Sequence, residues 1–275
     1  MTSGRKESLL EGSGIINRYV KEVKYILTNG ATRPARALLI DDTNVILKYY
    51  REDIGKLVLF NEYFCYRLAK EIVLPMPQSG VCIINDKTVD NNNILKPESY
   101  GYAFYSTYIS STIFKQGIVK HLSNRDMFYR LLLFDHIIFN TDRNEFNLLT
   151  TFSKKDTSFS VIDHSHVFKN GTIWDANCFE YGIEEADFLS TAILESNEKM
   201  YGMFFQNMLF DQEMLLWEAN RIRKIITSSL LDTIINDIPK EWLPSERDVL
   251  ALKEYLLYRS DHILDMSKMI IKERR

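Results

Sequence analysis

The chain has 275 residues, of which 45% are hydrophobic and 26% charged, a composition that can bury a sizeable core and excludes disordered, collagen-like and fibrous classes. Lys plus Arg number 34 against 37 Asp plus Glu, and the resulting net charge of −3 argues against a general nucleic-acid binder. The three cysteines, Cys65, Cys82 and Cys178, are too scattered for a disulfide framework or a Cys-rich zinc site. No apolar run reaches the ~18 residues of a membrane span, and the N-terminus (MTSGRKESLLEGSG) lacks a signal-peptide core, so a soluble, cytoplasmic protein is expected.

The first part reads as short strands. Tyr19–Leu27 alternates apolar and polar residues, Thr28–Pro34 is a turn, and Ala35–Ile40 and Val45–Tyr50 form a hairpin across the polar turn 41–44. A helix is predicted over Leu57–Ile72, with Leu57, Phe60, Phe64, Leu68 and Ile72 on one face and Pro75 and Pro77 beyond its end. Val81–Ile84 and Tyr100–Ile109 are further strands, separated by the Asn-rich loop 85–99. Helical periodicity then takes over: Met127, Leu131, Phe134 and Ile138 share a face, and Ala186–Leu194, Lys199–Phe210, Asp211–Asp237 and Glu246–Lys272 read as helices. Trp217 and Trp242 are expected to pack among the last of these. The pattern is α+β, in two lobes: an N-lobe over 1–106 of strands plus one helix, and an all-helical C-lobe over 107–275.

The chemistry concentrates in FDHIIFNTDRNEFNLL (134–149), where a polar loop presents Asp142 and, five positions on, Asn147. This is the Asp-to-Asn interval of the kinase catalytic loop, in which the carboxylate receives the proton of the attacking hydroxyl and the Asn oxygen holds a metal ion on the phosphates. Sixteen positions later Asp163 follows the β-run Ser158–Ile162, where a kinase places its second metal ligand. Upstream, Lys48 sits in an apolar strand where its burial needs a partner, and Glu62 lies on the next helix, matching the strand Lys and helix Glu that a kinase pairs on the α/β-phosphates. A rival reading, a transition-metal site of Asp163, His164 and His166, lacks standard ligand spacing.

These stretches resemble the HipA-like branch of the protein-kinase-like superfamily. NTDRNEFNLL is similar to its N-T-D-R-H-x-x-N loop, VIDHSHVF to I-D-H-x-H-x-F, and FNEYFCYRLAKEIVLPMP to its N-E helix followed by L-P-x-P. The resemblance implies a two-lobed protein-kinase-like fold that uses ATP and Mg2+ to phosphorylate Ser or Thr on a protein. In the best-known relatives the target belongs to translation, and the kinase is the toxin of a toxin–antitoxin pair. By position it makes Asp142 the catalytic base, Asn147 and Asp163 the metal ligands, and Lys48 the phosphate-binding lysine with Glu62 its partner. Thr28, Gly30, Thr32 and Arg33 would line the phosphate-covering turn, and the segment from Phe104 and Tyr105 to Tyr108 would be the hinge beside the adenine. Two positions depart from the family pattern: Asn144 replaces the usual His, and the turn has one glycine. The other readings are a nucleotide-binding pseudokinase acting as an interaction module, and a small-molecule or lipid kinase. A toxin or phage-defence role would need a separate antitoxin or regulatory protein, since no DNA-binding motif and no membrane-directed stretch is found.

Overall fold

Alternation of side chains builds a closed five-stranded barrel between residues 18 and 107. The computed structural model describes residues 18–28, 32–154 and 156–274. The sequence-predicted Gly30 and the stretch before residue 18 lie outside them. β1 (Arg18–Ile26), β2 (Ala35–Leu39), β3 (Asn44–Lys48), β4 (Ser79–Ile84) and β5 (Gly101–Thr107) close in the order β1-β2-β3-β5-β4. All neighbours are antiparallel except β1 and β4, which run parallel through Arg18–Cys82 and Tyr19–Ile83. One face of each strand, including Val23, Ala37, Val45, Leu47 and Ala103, fills the barrel. Gly80 lies so close to the Tyr105 ring that an added Cβ would come within 3.0 Å of its hydroxyl.

Helix α1 (Leu57–Glu71) has the predicted face, with Phe60, Phe64, Leu68 and Ile72 fully buried. That face belongs to the larger core of the helical part and not to the barrel interior. Phe60 packs edge-on to Trp174, Tyr63 meets Trp242, and Arg67 forms an ion pair with Asp237.

The second part is built on α2 (Met127–Ile137), which is apolar on nearly every side and buried at its centre. It is not all-helical as expected, for it also carries a small sheet in which β7 (Leu148–Phe152) pairs antiparallel with the short β6 (Thr112–Ile113) and with β8 (Thr157–Val161); only β8 matches a strand read from the sequence, the run Ser158–Ile162. Against α2 pack α5 (Glu198–Phe205), α6 (Gln212–Ile225), α8 (Glu246–Asp261) and α9 (Ile263–Glu273), while α3 (Ala176–Glu184) and α7 (Ser228–Asn236) lie on α8 and α4 (Ala192–Ser196) on α5. No helix among the described residues is long and apolar enough to cross a membrane.

Several helices differ from the sequence expectation. The long segment 211–237 is two helices: Thr227 turns extended and its hydroxyl accepts the Leu230 N–H, capping α7. His262 likewise divides 246–272, its ring stacked on Phe188 with centroids 4.0 Å apart. The expected helix 186–194 is broken because Ala186 is left-handed and Asp187 is held by Arg259, Lys169 and Tyr255, leaving a short 3-10 turn and then α4. The helix expected over 199–210 stops at Phe205, and Asp211 instead caps α6. α3 went unpredicted; Asp175 caps it, and Gly182 allows it to approach Asp187 and Tyr255 more closely than any side chain could. Trp242 is buried as expected, but against α1, whereas Trp217 is 57% exposed on α6.

Apolar periodicity continues across Thr227, so the α6–α7 break rests on its cap. Thr227→Ala should cost about 1 kcal/mol of unfolding free energy with an unchanged denaturant slope; no loss in a urea titration would show that the cap does not hold the break.

Candidate active site

Lys48 closes β3 on the face that alternates with the core-facing Val45 and Leu47, so its ammonium enters the space between the barrel and the helical part. It is 9% exposed, and two carboxylates meet it: Glu62 from the first half of α1, and Asp163 at 2.9 Å. Burial opposes the lysine charge, but the Asp163 and Glu62 carboxylates outweigh it and hold its pKa above the ordinary value. For Asp163 burial is again overcome, by Lys48 and by the Ser165 hydroxyl, so this carboxyl sits well below the usual range. Glu62 lies deepest, and burial, only partly offset by Lys48, pushes its carboxyl up to about 7. One cation therefore faces two carboxyl groups, of which Asp163 is held ionised and Glu62 is pushed toward its neutral form.

Asp163 stands in the turn after β8 at φ +59°, a left-handed conformation that Asp adopts more readily than most residues. Its Oδ1 accepts from Lys48 and from the Ser165 hydroxyl at 2.5 Å. Across the hairpin, the Ile162 N–H donates to the Asn147 carbonyl at 3.0 Å, bringing the backbone of Asn147 beside the Asp163 turn. The Asn147 amide nitrogen donates to the Asp142 carbonyl at 2.8 Å, so the oxygen of the same amide is the atom that could accept a cation. Two hard oxygen donors suit Mg2+ or Mn2+ held jointly with phosphate oxygens. No cluster of three His, Cys, Asp or Glu able to hold a metal forms among the described residues. His164 does not join a transition-metal site: its ring is buried, with Nε2 accepting from Arg143 at 2.9 Å.

Asp142 presents an exposed carboxylate at the mouth of this group. Partial burial and then the Asp163 charge push its pKa upward, with His166 acting in the opposite sense. Its own N–H donates to the Asn140 side chain at 3.0 Å, and Asn144 donates to its carbonyl at 3.1 Å.

Beneath the loop lies a buried network in which the sequence marks Asn140 and Arg143 through the N-T-D-R motif and Tyr201 as a packing residue, but not Asp135 or Asn197 as their partners. Arg143 is 1% exposed; its guanidinium forks onto Asp135 at 2.9–3.3 Å and donates to the Ile162 carbonyl at 2.8 Å. Asp135 also accepts from Asn140 at 2.8 Å and Tyr201 at 3.1 Å, while Asn197 accepts the Arg143 N–H and donates to the Asn140 carbonyl, both at 2.8 Å. Asn61, next to Glu62, donates to the carbonyls of Ser165 and Gly171 and accepts from Trp174, so α1 is tied to the segment after Asp163. The N-E dipeptide was the one sequence signal for Asn61.

The remaining expected residues are spread more widely. Thr32 is buried and lines a 440 Å³ cavity with Glu52, Asp53, Gly55, His166 and Ile173. Thr28 and Arg33 stay exposed in the β1–β2 turn, Arg33 at φ +44°. Phe104 lies directly across from Lys48, whereas Tyr105 alternates into the barrel core.

A family profile described as HipA-like kinase matches residues 20–268. The fold is similar to that of a Helicobacter pylori proinflammatory kinase, CtkA, at 11% identity and TM-score 0.57, covering 90% of this chain and 94% of that one. It is also similar to the Golgi casein kinase with Mn/ADP bound, at 11% identity and TM-score 0.50, covering 91% of this chain and 74% of that one. A complex of Shewanella oneidensis HipA, HipB and operator DNA aligns at 11% identity and TM-score 0.40, over 88% of this chain and 68% of that one. No curated protein sequence matches significantly.

Breaking a fully buried ion pair by removing one partner leaves an uncompensated charge, so Arg143→Met should cost about 3–5 kcal/mol. A loss under about 1 kcal/mol in chemical denaturation would show that the network does not hold the loop.

Proposed function

The chain belongs to the HipA-like kinase family, and we propose that it is a Ser/Thr protein kinase that uses ATP with Mg2+. The observation that carries this reading is Lys48, which reaches Glu62 and Asp163 at once while Asp142 and Asn147 stand on the adjoining loop. In this reading residues 1–106 form the nucleotide-covering lobe and 107–275 the lobe that holds the acceptor. Lys48, steadied by Glu62, takes the α/β-phosphates, Thr32 and its neighbours Thr28 and Arg33 cover them, and Phe104 with the segment to Tyr108 lines the base.

Asn147 and Asp163 would hold the divalent ion, which when bound neutralises charge on the phosphate oxygens. The Golgi casein kinase with Mn/ADP bound supports a nucleotide with a divalent cation. Asp142 accepts the proton of the acceptor hydroxyl as its oxygen bonds to the γ-phosphorus and the bond to ADP breaks. The upward push on its pKa increases its basicity, and its exposure leaves room for a protein side chain. On family membership, we assign this activity to the toxin of a toxin–antitoxin or phage-defence pair, with a translation-related protein as target and a separate antitoxin as partner.

Transfer of label from ATP in the presence of Mg2+ to a cell-lysate protein tests the reading. Asp142→Asn should lower the rate about 10²–10⁴-fold while nucleotide-induced thermal stabilisation persists, and Asp163→Asn should abolish both. Stabilisation by ATP without transfer by the wild type would favour the pseudokinase reading; transfer to a small molecule or lipid alone would overturn the protein substrate.

A further inference from the structure

The 440 Å³ cavity has none of Lys48, Asp142, Asn147 or Asp163 in its walls, yet it adjoins them. Three segments enclose it: the end of the β1–β2 turn at Thr32, the loop from β3 into α1, and the segment after Asp163 at His166 and Ile173. His166 links this wall to the reacting groups. The Ser165 hydroxyl lies 3.2 Å from His166 Nδ1 and donates to Asp163, and the His166 ring is near enough to act on the Asp142 carboxyl. Thr32 is 5% exposed, and its hydroxyl bonds to no other described residue although it borders the cavity. A buried hydroxyl without a partner calls for one from outside the chain.

The exposed side of the cavity is acidic. Asp53 is taken by Arg51, at 3.0 and 2.6 Å, but Glu52 forms no ion pair or hydrogen bond with a described residue. The other walls are apolar, formed by Ile54, Val58 and the 72% exposed Ile173. One free carboxylate is too few for a divalent ion. Apolar walls with a carboxylate among them suit a long cationic side chain, whose methylene stem is buried while its head group stays among polar partners. We propose that this cavity receives a lysine or arginine of the acceptor protein, close in sequence to the phosphorylated Ser or Thr. Glu52 takes the cation and sets the specificity, and the Thr32 hydroxyl is a second acceptor for it. This rests on the protein-kinase reading above and names the class of acceptor, a basic segment.

Transfer from labelled ATP with Mg2+ to peptides with one central Ser or Thr, each flanking position in turn fixed as Lys, Arg, Met or Glu, tests this on the full chain. The wild type should prefer Lys or Arg to Met at one position by about threefold to fivefold, the scale of a partly exposed ion pair. Glu52→Gln should remove that preference by raising KM for the basic peptides, with kcat and ATP-induced thermal stabilisation unchanged. Glu52→Lys should turn it toward Glu at the same position, a reversal that damage to the fold would not produce. No basic preference in the wild type, or the same preference in Glu52→Lys, would overturn the subsite and leave the kinase reading standing. Where only a lysate protein takes label, a loss of about threefold or more in Glu52→Lys would support the subsite and an unchanged rate would overturn it. No transfer to peptide or protein would overturn both.

Discussion

A lysine ammonium withdrawn from water on the floor of a barrel needs opposite charge within a few ångströms, and this need organises the molecule. The counter-charges for Lys48 come from α1 and from the turn after β8, so one side chain joins three parts of the chain that would otherwise meet only through apolar packing. Glu62 extends the join by accepting the His164 N–H at 3.1 Å. The stoichiometry matters as much as the contact. Lys48 meets an Asp163 held ionised and a Glu62 whose burial favours its neutral form, so the ammonium balances chiefly Asp163.

The arrangement is held by packing that belongs to the helical part. α1 buries its apolar face in the large core, its Asn61 secures the chain after Asp163, and Arg67 and Tyr63 fasten it to Asp237 and Trp242. The helix that carries the Lys48 partner is thus fixed at several points along its length within a single chain. The ordering of these side chains is completed on folding, so it need not be supplied when a nucleotide binds.

Strand alternation and the order of Lys48, Glu62, Asp142, Asn147 and Asp163 along the chain were legible because each is a local signal: a period of two, a cation in an apolar run, a fixed interval between carboxylate and amide. Tertiary decisions were not. Apolar periodicity runs straight through Thr227 and His262, and the breaks appear only once the Thr227 cap on α7 and the His262 stack on Phe188 are seen. Asp187 reads as an ordinary helix-start residue until Arg259, Lys169 and Tyr255 are seen to converge on it from distant positions.

The departure of Asn144 from the family's usual His is best judged by what holds the loop. Arg143 reaches both residues that flank Asp163, donating to the Ile162 carbonyl and to His164 Nε2, while its own N–H is taken by Asn197. One buried guanidinium therefore sets the loop that bears Asp142 and Asn147 and the turn that bears Asp163, and position 144 is not part of that set. Asn144 instead caps the single turn leading into Asn147, accepting the Phe146 N–H at 3.0 Å, and donates to the Asp142 carbonyl that also receives the Asn147 amide. Asn is among the best residues for such a cap. Loop shape is consequently maintained at position 144 by a short polar side chain acting on the backbone, and the disposition of Asp142 relative to Asn147 does not depend on an imidazole there.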